Sequence, residues 1–299
     1  MGGQLGVHIR PADGVQPEAA YRHAARVAHR VAAWADRLTR FTDWSDLAQL
    51  NAAPAGSVDV RPTLAAVLDW SRRAAGMTDG IVNVTLLEAR LDAESGPRHS
   101  SGDRGHGGGN GAWALVRRRR GGRVTRPAGL RFDLDGVGKG WLADRGAALL
   151  RRHAAAVVDA DGDIAISLHA GQAWQVQVAH PEVPQAALAT LELTGLDPSG
   201  VARFGVATSG TSVHRWAGSD GVRHHLIDPR SGRSAITDVI QATVLAGSAA
   251  EAEAFAKAAV ILGSADALPL LDSARLGGAI LLTERGEVLA TPTMTRWLA

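Results

Sequence analysis

The segment Phe132 to Gly140 combines residue types that suit binding of a phosphate group. A β-strand pattern delivers Asp133, glycines follow, and Lys139 stands where a helix is expected to begin. Glycines let the backbone approach a ligand closely, and the free N–H groups of a helix start attract an anion. The spacing fits neither a Walker A loop nor a Rossmann fingerprint, so a tight turn without a ligand is the alternative.

A histidine in the C-terminal third of the chain could serve as a general base. His225 lies at the end of a predicted strand, next to Asp228 and a Pro-Arg-Ser-Gly turn. An imidazole titrates near neutral pH, which suits proton transfer, although a single histidine at such a position is more often structural. Upstream, small hydroxylated residues around Gly210 could donate hydrogen bonds to phosphates or simply close a local turn.

Glu253 and Lys257 lie one turn apart on a predicted helix. A glutamate four residues before a lysine is usually a solvated pair that stabilises the helix by roughly 0.2–0.5 kcal/mol. Lys257 is nevertheless unusual, because 32 residues are basic and only it and Lys139 are lysines. A lysine retained against such an arginine bias could present a compact charge to a phosphate, or its presence could be chance.

The elements that must position these residues follow a mixed, irregular order, which predicts an α+β fold. Apolar periodicity predicts helices over residues 17–41, 45–51, 64–76, 140–153 and 248–262. β-branched and alternating segments predict strands over 6–10, 174–179, 187–193, 222–228, 241–247 and 278–283. They also predict a turn into a strand over 78–87, a hairpin over 113–126 and a strand-turn-strand unit over 157–166. A run rich in Gly, Ser and His predicts a flexible loop at about 95–112, within a single domain over 1–299.

Composition and charge exclude several classes of protein and site. The 299 residues include no cysteine, which rules out disulfides, thiolate metal sites and a cysteine nucleophile. The net charge is only +2, and no nucleic-acid-binding motif accompanies the basic run Arg117 to Arg120, so we expect no nucleic acid partner. No apolar run approaches the roughly 20 residues needed to span a bilayer, and the N-terminus lacks a secretory pattern. We therefore expect no transmembrane segment and a cytoplasmic location.

The order of the segments carries a family resemblance over essentially the whole chain. FDLDGVGKG resembles a D-L-G-G-x-x-K-G core, and TDGIVNVT resembles a G-x-x-D-x-T stretch with Asn83 in place of Asp. DADGDI stands at a Gly-Gly-Asp turn, ATSG and HHLIDPRSGR match closely, and Met1-Gly2-Gly3 is similar to a Met-Gly-Thr opening. LTRFTDWSDLAQLN resembles a segment whose aromatic residue meets a flavin nucleotide. Together these motifs resemble the ApbE family of flavin transferases (FAD:protein FMN transferases).

The resemblance implies an ApbE-like fold of mixed, mainly antiparallel sheets with packed helices. It also implies a reaction. FAD would bind in a cleft with Mg²⁺ at its pyrophosphate, and a Thr or Ser hydroxyl of an acceptor flavoprotein would attack the FMN phosphorus. AMP would leave, and FMN would stay linked to the acceptor through a phosphoester.

The resemblance further implies roles for individual residues. His225 matches the base that acts on the attacking hydroxyl, while the carbonyl of Gly136 and the side chain of Glu253 match the metal ligands. The residues that match FAD-binding positions are Phe41, Ile81, Val82, Asn83, Asp133, Lys139, Ile227 and Lys257.

The late helix departs from the family pattern, which has a metal-binding Asp, a Thr four residues on and often another Asp just before that Thr. Glu253, Lys257 and Ala256 stand at these positions. Glutamate can still bind magnesium, whereas a protonated lysine cannot and repels a cation. Lys257 could therefore replace part of the metal's charge at the pyrophosphate. Alternatively the active site has decayed, and the loss of an aspartate at Asn83 favours the same conclusion.

Several functions remain open on these grounds. The retained His225, Asp133 and Lys139 favour an FMN transferase. The departures on the late helix and at Asn83 favour a flavin-binding relative without catalysis. An FAD pyrophosphatase, which releases AMP and FMN to water, would need the same site without an acceptor protein. A nucleic-acid-binding function is the least favoured.

Overall fold

The computed structural model describes residues 3–54, 56–95, 111–119, 122–183, 185–195, 200–218 and 221–299. Its strands, in chain order, are β1 (Leu5–Arg10), β2 (Ser57–Asp59), β3 (Arg117–Arg118), β4 (Arg123–Thr125), β5 (Ala155–Ala160), β6 (Asp163–His169), β7 (Ala173–Ala179), β8 (Ala187–Thr194), β9 (Val201–Gly210), β10 (Arg215–Gly218), β11 (Gly221–His224), β12 (Ile227–Asp228), β13 (Arg233–Ser234), β14 (Val239–Ala246), β15 (Gly278–Thr283) and β16 (Val288–Ala290).

The helices alternate irregularly with these strands, which confirms the predicted α+β class. They are α1 (Pro17–Leu38), α2 (Asp46–Ala52), α3 (Pro62–Met77), α4 (Leu87–Ser95), α5 (Lys139–Leu150), α6 (Ala249–Leu262) and α7 (Ser264–Ser273), with 3-10 helices at Ala112–Leu115 and Pro292–Trp297.

A seven-stranded sheet in the order β1-β5-β6-β9-β14-β15-β16 forms the centre of the described part of the chain, and every neighbouring pair is antiparallel. Alternate residues of each strand point to opposite faces. Ala156 and Val158 of β5 therefore pack under the helices, while Ala155 and Val157 pack on the other face. Helices α1, α5 and α6 cover the first face, and the β7–β8 hairpin covers the second.

Local sequence signals explain where the helices begin. Pro17 occupies the first turn of α1, where its missing N–H costs no hydrogen bond. Ser45 caps α2 by accepting the Ala48 N–H at 2.9 Å, and Ser248 caps α6 by accepting the Glu251 N–H at 3.2 Å. The predicted helix starts are confirmed at these positions.

Residues 78–86 form turns and irregular backbone and α4 begins at Leu87, so the predicted turn is present but the strand predicted after it is not. The Thr78 hydroxyl accepts the Val82 N–H at 3.1 Å, and the Asn83 amide donates to the Gly80 carbonyl at 2.7 Å. These side chains satisfy the buried backbone locally, which removes the need for a strand partner. The prediction of a strand here was wrong.

The predicted 113–126 hairpin is confirmed in its inner part, where β3 and β4 pair antiparallel, and β2 pairs with the other edge of β4. Residues 113–115, which were predicted as part of the hairpin, belong to a 3-10 helix. The predicted flexible loop at about 95–112 lies outside the described residues except at its ends. Within the described ranges, no helix combines the length and the apolar character that crossing a bilayer requires.

Candidate active site

A cleft opens where separate segments of the chain meet beside α4 and α6. Its lining side chains are Ile81, Asn83, Leu86, Arg90, Asp133, Asp135, His225, Ile227 and Lys257. The structure thus brings together most of the residues that the sequence singled out. Only Leu86, Arg90 and Asp135 were not among the predicted site residues.

The strand-like segment that delivers Asp133 is fixed at the base of the cleft. Phe132 is fully buried, and its backbone N–H and carbonyl both pair with the side-chain amide of Asn51 at 2.8 Å. The Asp133 N–H donates to the Val84 carbonyl at 2.9 Å. The first carboxylate of the cleft therefore sits on a rigid backbone.

The glycine turn, residues 135–138, follows directly. The Asp133 carboxylate accepts the Asp135 N–H at 3.0 Å, which closes the start of the turn. Gly136 has φ of 89°, in the left-handed region that favours glycine. The turn then leads into α5 at Lys139. It presents the backbone carbonyl of Asp135 and the Cα of Gly136 toward α6.

Two arginines balance the carboxylates of the cleft. Arg40 Nε lies 3.5 Å from Asp133 Oδ2, and Arg90 Nη1 lies 3.3 Å from Asp135 Oδ2. Both arginines also pair with Glu94, at 2.5 and 2.8 Å. This network ties α4 to the glycine turn and gives each aspartate a cationic partner.

The two aspartates differ in pKa because their neighbours differ. Burial raises the pKa of Asp133, and the nearby Asp135 raises it further against the opposing charge of Arg40. Burial would also raise the pKa of Asp135, but Lys257 and other cations outweigh it and hold that pKa below its ordinary value. Asp135 is therefore the more acidic of the two carboxyl groups.

His225 connects β11 to β12 at the mouth of the cleft. Arg90 Nη1 donates to its backbone carbonyl at 2.9 Å, and the ring of His214 stands edge-on, with 5.3 Å between the ring centroids. The Nδ1 atom of His225 is buried and, among the described residues, has no hydrogen-bond partner. No hydrogen bond from the described residues to Nδ1 therefore fixes which ring nitrogen carries the proton.

Burial lowers the pKa of His225 to about 3, with Asp135 opposing the shift and Lys257 and Arg90 adding to it. The ring is therefore neutral at physiological pH. The expectation of near-neutral titration is corrected, because the sequence shows neither the burial of the imidazole nor the two cations beside it.

The neighbouring histidine has a structural role. His224 is buried, and its Nε2 donates to the Ala235 carbonyl at 3.0 Å, while its Nδ1 accepts the Leu226 N–H at 3.3 Å. The Ser234 hydroxyl donates to the His224 carbonyl at 2.7 Å. With both ring nitrogens bonded to backbone, His224 holds the β11–β12 corner that aims His225 at the cleft.

Lys257 extends from α6 across the glycine turn. Its Nζ donates to the Asp135 carbonyl at 2.7 Å. A Cβ atom on Gly136 would overlap the Nζ and Cδ atoms of Lys257, so the turn must carry glycine for the ammonium to reach this position. The solvated helix pair with Glu253 is not formed, since Glu253 is only 3 % exposed.

Glu253 points in the opposite direction and caps α5. Its Oε2 accepts the Gly140 N–H at 2.9 Å. In return, Asp144 of α5 accepts the N–H groups of Ala249 and Ala250 at 2.9 and 3.0 Å. The start of each helix is thus capped by a carboxylate of the other helix, and this negative charge interacts favourably with the positive end of the helix dipole. A Cβ on Gly140 would lie 2.5 Å from the Ala249 carbonyl oxygen, so the close approach requires glycine.

Lys139 lies among carboxylates on the other side of the turn. Its Nζ is 3.6 Å from Asp161 Oδ2 and 3.8 Å from Asp163 Oδ2. Burial raises the pKa of Glu253 to about 7, and burial together with Glu253 raises the pKa of Asp163 well above its ordinary value. The side chain of Lys139 is not among those that line the cleft.

The remaining predicted residues are distributed around the cleft. Ile81 and Ile227 are buried in its wall, and Val82 is buried in the core behind it. Phe41 lies outside the lining, is 70 % exposed, and has the Arg40 guanidinium 4.3 Å from its ring centroid.

Arg40, Arg90 and Asp135 were not predicted to belong to the site. Asp135 belongs to the FDLDG segment, but it stands at a glycine position of the pattern and so carried no expectation. Arg90 and Glu94 are four residues apart on α4, a spacing typical of a helix pair that gives no indication of a third, distant partner.

The residues present do not provide the donor set of a divalent metal at the predicted position. No group of three or more His, Asp or Glu side chains in the described ranges is arranged to hold a metal ion. Glu253 is turned toward the Gly140 N–H, Ala256 is fully buried without a donor, and an ammonium lies over Gly136. Magnesium prefers octahedral oxygen ligands, and an ammonium repels it.

Comparison with known proteins places the chain in one family. The model of the ApbE family matches residues 1–281. A FAD:protein FMN transferase of Treponema pallidum is 35 % identical over 160 residues, which cover 48 % of this chain and 41 % of the relative. A FAD:protein FMN transferase of Salmonella typhimurium is 31 % identical over 141 residues, which cover 45 % and 38 %. The matches thus span less than half the length of these curated relatives.

Solved structures share the fold over nearly the whole chain. The ApbE protein of Thermotoga maritima superposes with a TM-score of 0.78 at 19 % identity, covering 98 % of this chain and 96 % of that one. The apo form of the Pseudomonas stutzeri flavinyl transferase ApbE gives 0.77 at 20 % identity, covering 99 % and 94 %. The family model and the shared fold agree, and the chain belongs to the ApbE family.

Proposed function

We propose that this protein transfers FMN from FAD to a Thr or Ser hydroxyl of an acceptor protein and releases AMP. The observation that carries the proposal is the convergence of Asp133, His225 and Lys257, from three distant segments, on one cleft. Membership of the ApbE family and the activity named for the two curated relatives support the same reaction.

The proposed chemistry is a phosphoryl-type displacement. The acceptor hydroxyl oxygen forms a bond to the FMN phosphorus, and the bond from that phosphorus to the bridging diphosphate oxygen breaks. The electron pair of the broken bond leaves with AMP, and the hydroxyl proton passes to His225. Such a reaction depends on positioning and on neutralising the phosphate charge rather than on covalent chemistry by the protein.

His225 suits the role of base once substrate is bound. Its pKa of about 3 keeps the ring neutral and able to accept a proton, but a base this weak is inefficient in the free protein. The negative charge of a bound diphosphate favours the protonated imidazole and so raises its pKa. Substrate binding would therefore strengthen the base at the moment it is needed.

The flavin end of FAD would lie against the apolar part of the cleft. Ile81 and Ile227 supply this wall. Asn83 is held by hydrogen bonds to Gly80 and Thr85, so it shapes the wall, and its side-chain carbonyl does not point freely at a ligand. Phe41, exposed beside the cleft network, is suited to stack on a ring of the nucleotide.

The test is incubation with FAD and an acceptor peptide that carries a Thr or Ser site, in EDTA and in Mg²⁺, with peptide mass and AMP measured together. A mass gain equal to FMN on the peptide, with one AMP per peptide modified, is the expected result. AMP without peptide modification would identify an FAD pyrophosphatase. FAD binding without AMP would identify a non-catalytic flavin binder, the alternative that the low pKa of His225 favours.

A further inference from the structure

We propose that the Lys257 ammonium is the cation that faces the diphosphate of the flavin nucleotide, so that this protein binds FAD without a divalent metal. The inference rests on the proposed function and concerns the same site. It names a protein side chain for the place that the resemblance gives to magnesium.

The first support is the position of the ammonium. Nζ is 2.7 Å from the Asp135 carbonyl oxygen, and the side chain crosses the Cα of Gly136 so closely that no Cβ could be present there. The space over the turn is therefore filled by a positive charge. A divalent cation bound to the carbonyls of this turn would stand beside that charge and be repelled by it.

The second support is that the nearby donors are already engaged. The Glu253 carboxylate caps α5 through the Gly140 N–H and is buried away from the cleft. The side chain of Ala256, also on α6, has no donor and is fully buried. The late helix thus offers a cation to the cleft and no exposed carboxylate.

The third support is the balance of charge in the cleft. Asp133 pairs with Arg40 at 3.5 Å and Asp135 with Arg90 at 3.3 Å, while Lys257 attracts Asp135 without forming an ion pair with it. The ion pairs of the described residues include none at Lys257, whose one hydrogen bond there is to a neutral carbonyl. An ammonium has three N–H donors, and two of them remain for an anionic ligand. Lysine is a usual binder of phosphate as a point charge.

The test is equilibrium binding by calorimetry with three probes: FAD, inorganic pyrophosphate and riboflavin, each in EDTA and in Mg²⁺. The variants are the parent, Lys257→Met, which keeps the length of the side chain and removes its charge, and Arg123→Met as a matched control. Arg123 pairs with Asp59 on the β2–β4–β3 sheet, away from the cleft lining. Riboflavin carries no phosphate, so it reports whether the flavin wall is intact.

The expected result is an FAD dissociation constant for the parent that is the same in EDTA and in Mg²⁺. Lys257→Met should weaken the binding of FAD and of pyrophosphate by about tenfold or more and leave the binding of riboflavin unchanged. Arg123→Met should bind all three probes as the parent does. FAD binding by the parent that needs Mg²⁺, or that is unaffected by Lys257→Met, would overturn the inference while leaving the proposed function in place. A parent that binds no flavin at all would overturn both.

Discussion

The two lysines of the chain approach the same glycine turn from surroundings of different kinds. Lys139 stands within 4 Å of two carboxylates, Asp161 and Asp163, and a third, Glu253, adds to the attraction. Lys257 has a backbone carbonyl as its partner, and the nearest aspartates are paired with arginines. The charge of Lys139 is offset by carboxylates close to it, whereas Lys257, which lowers the pKa of Asp135, forms no ion pair within 4 Å among the described residues and has two N–H donors left for a ligand.

The positive charge of Lys139 is balanced by buried carboxyl groups on its side of the turn. Asp163 and Glu253 are each 3 % exposed, and each has one carboxylate oxygen without a hydrogen-bond partner among the described residues. Burial raises the pKa of both carboxyls. Burial alone would lower the pKa of Lys139, but Asp163 and Glu253 outweigh it and raise that pKa. That Lys139 contacts FAD stays a prediction, and such a contact would compete with the attraction of Lys139 to Asp161 and Asp163.

The largest effect is expected on the Lys257 side, where His225 lies. His225→Ala should lower the rate of FMN transfer by about 100-fold or more and leave the FAD dissociation constant within about threefold, because a base acts on the attacking hydroxyl and not on the bound ground state. Peptide mass spectrometry gives the rate, and calorimetry gives the affinity. His29→Ala, at an exposed position of α1, is the matched control. Transfer by His225→Ala at the rate of the parent would assign the base elsewhere.

The next effect is expected on the Lys139 side, and it concerns stability. Lys139→Met should lower the free energy of unfolding by about 3 kcal/mol, because it leaves Asp163 and Glu253 buried without their cation. Lys257→Met should lower that free energy by only about 1 kcal/mol, since it removes one hydrogen bond to a carbonyl and leaves Asp135 its closer partner Arg90. Guanidinium unfolding measures both. Adding Asp163→Asn to Lys139→Met should restore part of the loss, and equal losses for the two single variants would contradict the contrast between the lysines.

The fold was predictable where its signals are local. Ser45 and Ser248 are N-cap residues that predict the starts of their helices. The β-branched residues before Asp161-Gly162 predict the β5–β6 hairpin, in which both turn residues have positive φ. The segment 78–87 was mistaken for a strand because its β-branched composition is real, while the side-chain-to-backbone hydrogen bonds that replace a strand partner leave no periodic signal.

The sequence predicted most of the residues that line the site, but it did not predict their ion-pair partners or their pKa values. Motif order was enough to bring Asp133, His225 and Lys257 to one cleft. The partnership of Arg90 with Asp135 spans 45 residues, and its bond to the His225 carbonyl spans 135, so no spacing rule reveals either contact. The pKa of His225 depends on such distant cations and on burial, and neither can be read from the sequence.

A third prediction sharpens the contrast by neutralising one carboxylate of the Lys139 group. The pKa of Glu253 is raised to about 7, so the folded protein binds a proton there that the unfolded chain has released above its ordinary pKa near 4.5. Stability from this group therefore falls as the pH rises from about 4.5 to 7. Glu253→Gln should remove that slope and raise the free energy of unfolding at pH 8 by on the order of 1 kcal/mol, since an amide oxygen can still accept the Gly140 N–H. A fall in stability at pH 8 would mean that ionised Glu253 is needed beside Lys139.

The smallest effect is expected far from both lysines, and it has the opposite sign with pH. His23 Nδ1 and His153 Nε2 share a hydrogen bond of 2.9 Å between α1 and the turn that follows α5. Burial, with Arg152 adding to it, lowers the pKa of both rings. The unfolded chain thus binds protons more readily than the folded protein below about pH 6.5, and stability is lost as the pH falls through that range.

Replacing His23 by Gln should flatten the loss of unfolding free energy between pH 7 and pH 5, as followed by guanidinium titration at each pH. The matched variant His29→Gln, at an exposed position of the same helix, should keep the slope of the parent. If both variants retained that slope, the acid sensitivity would belong to another group, and the pH range of greatest stability would be governed by the carboxylates around Lys139.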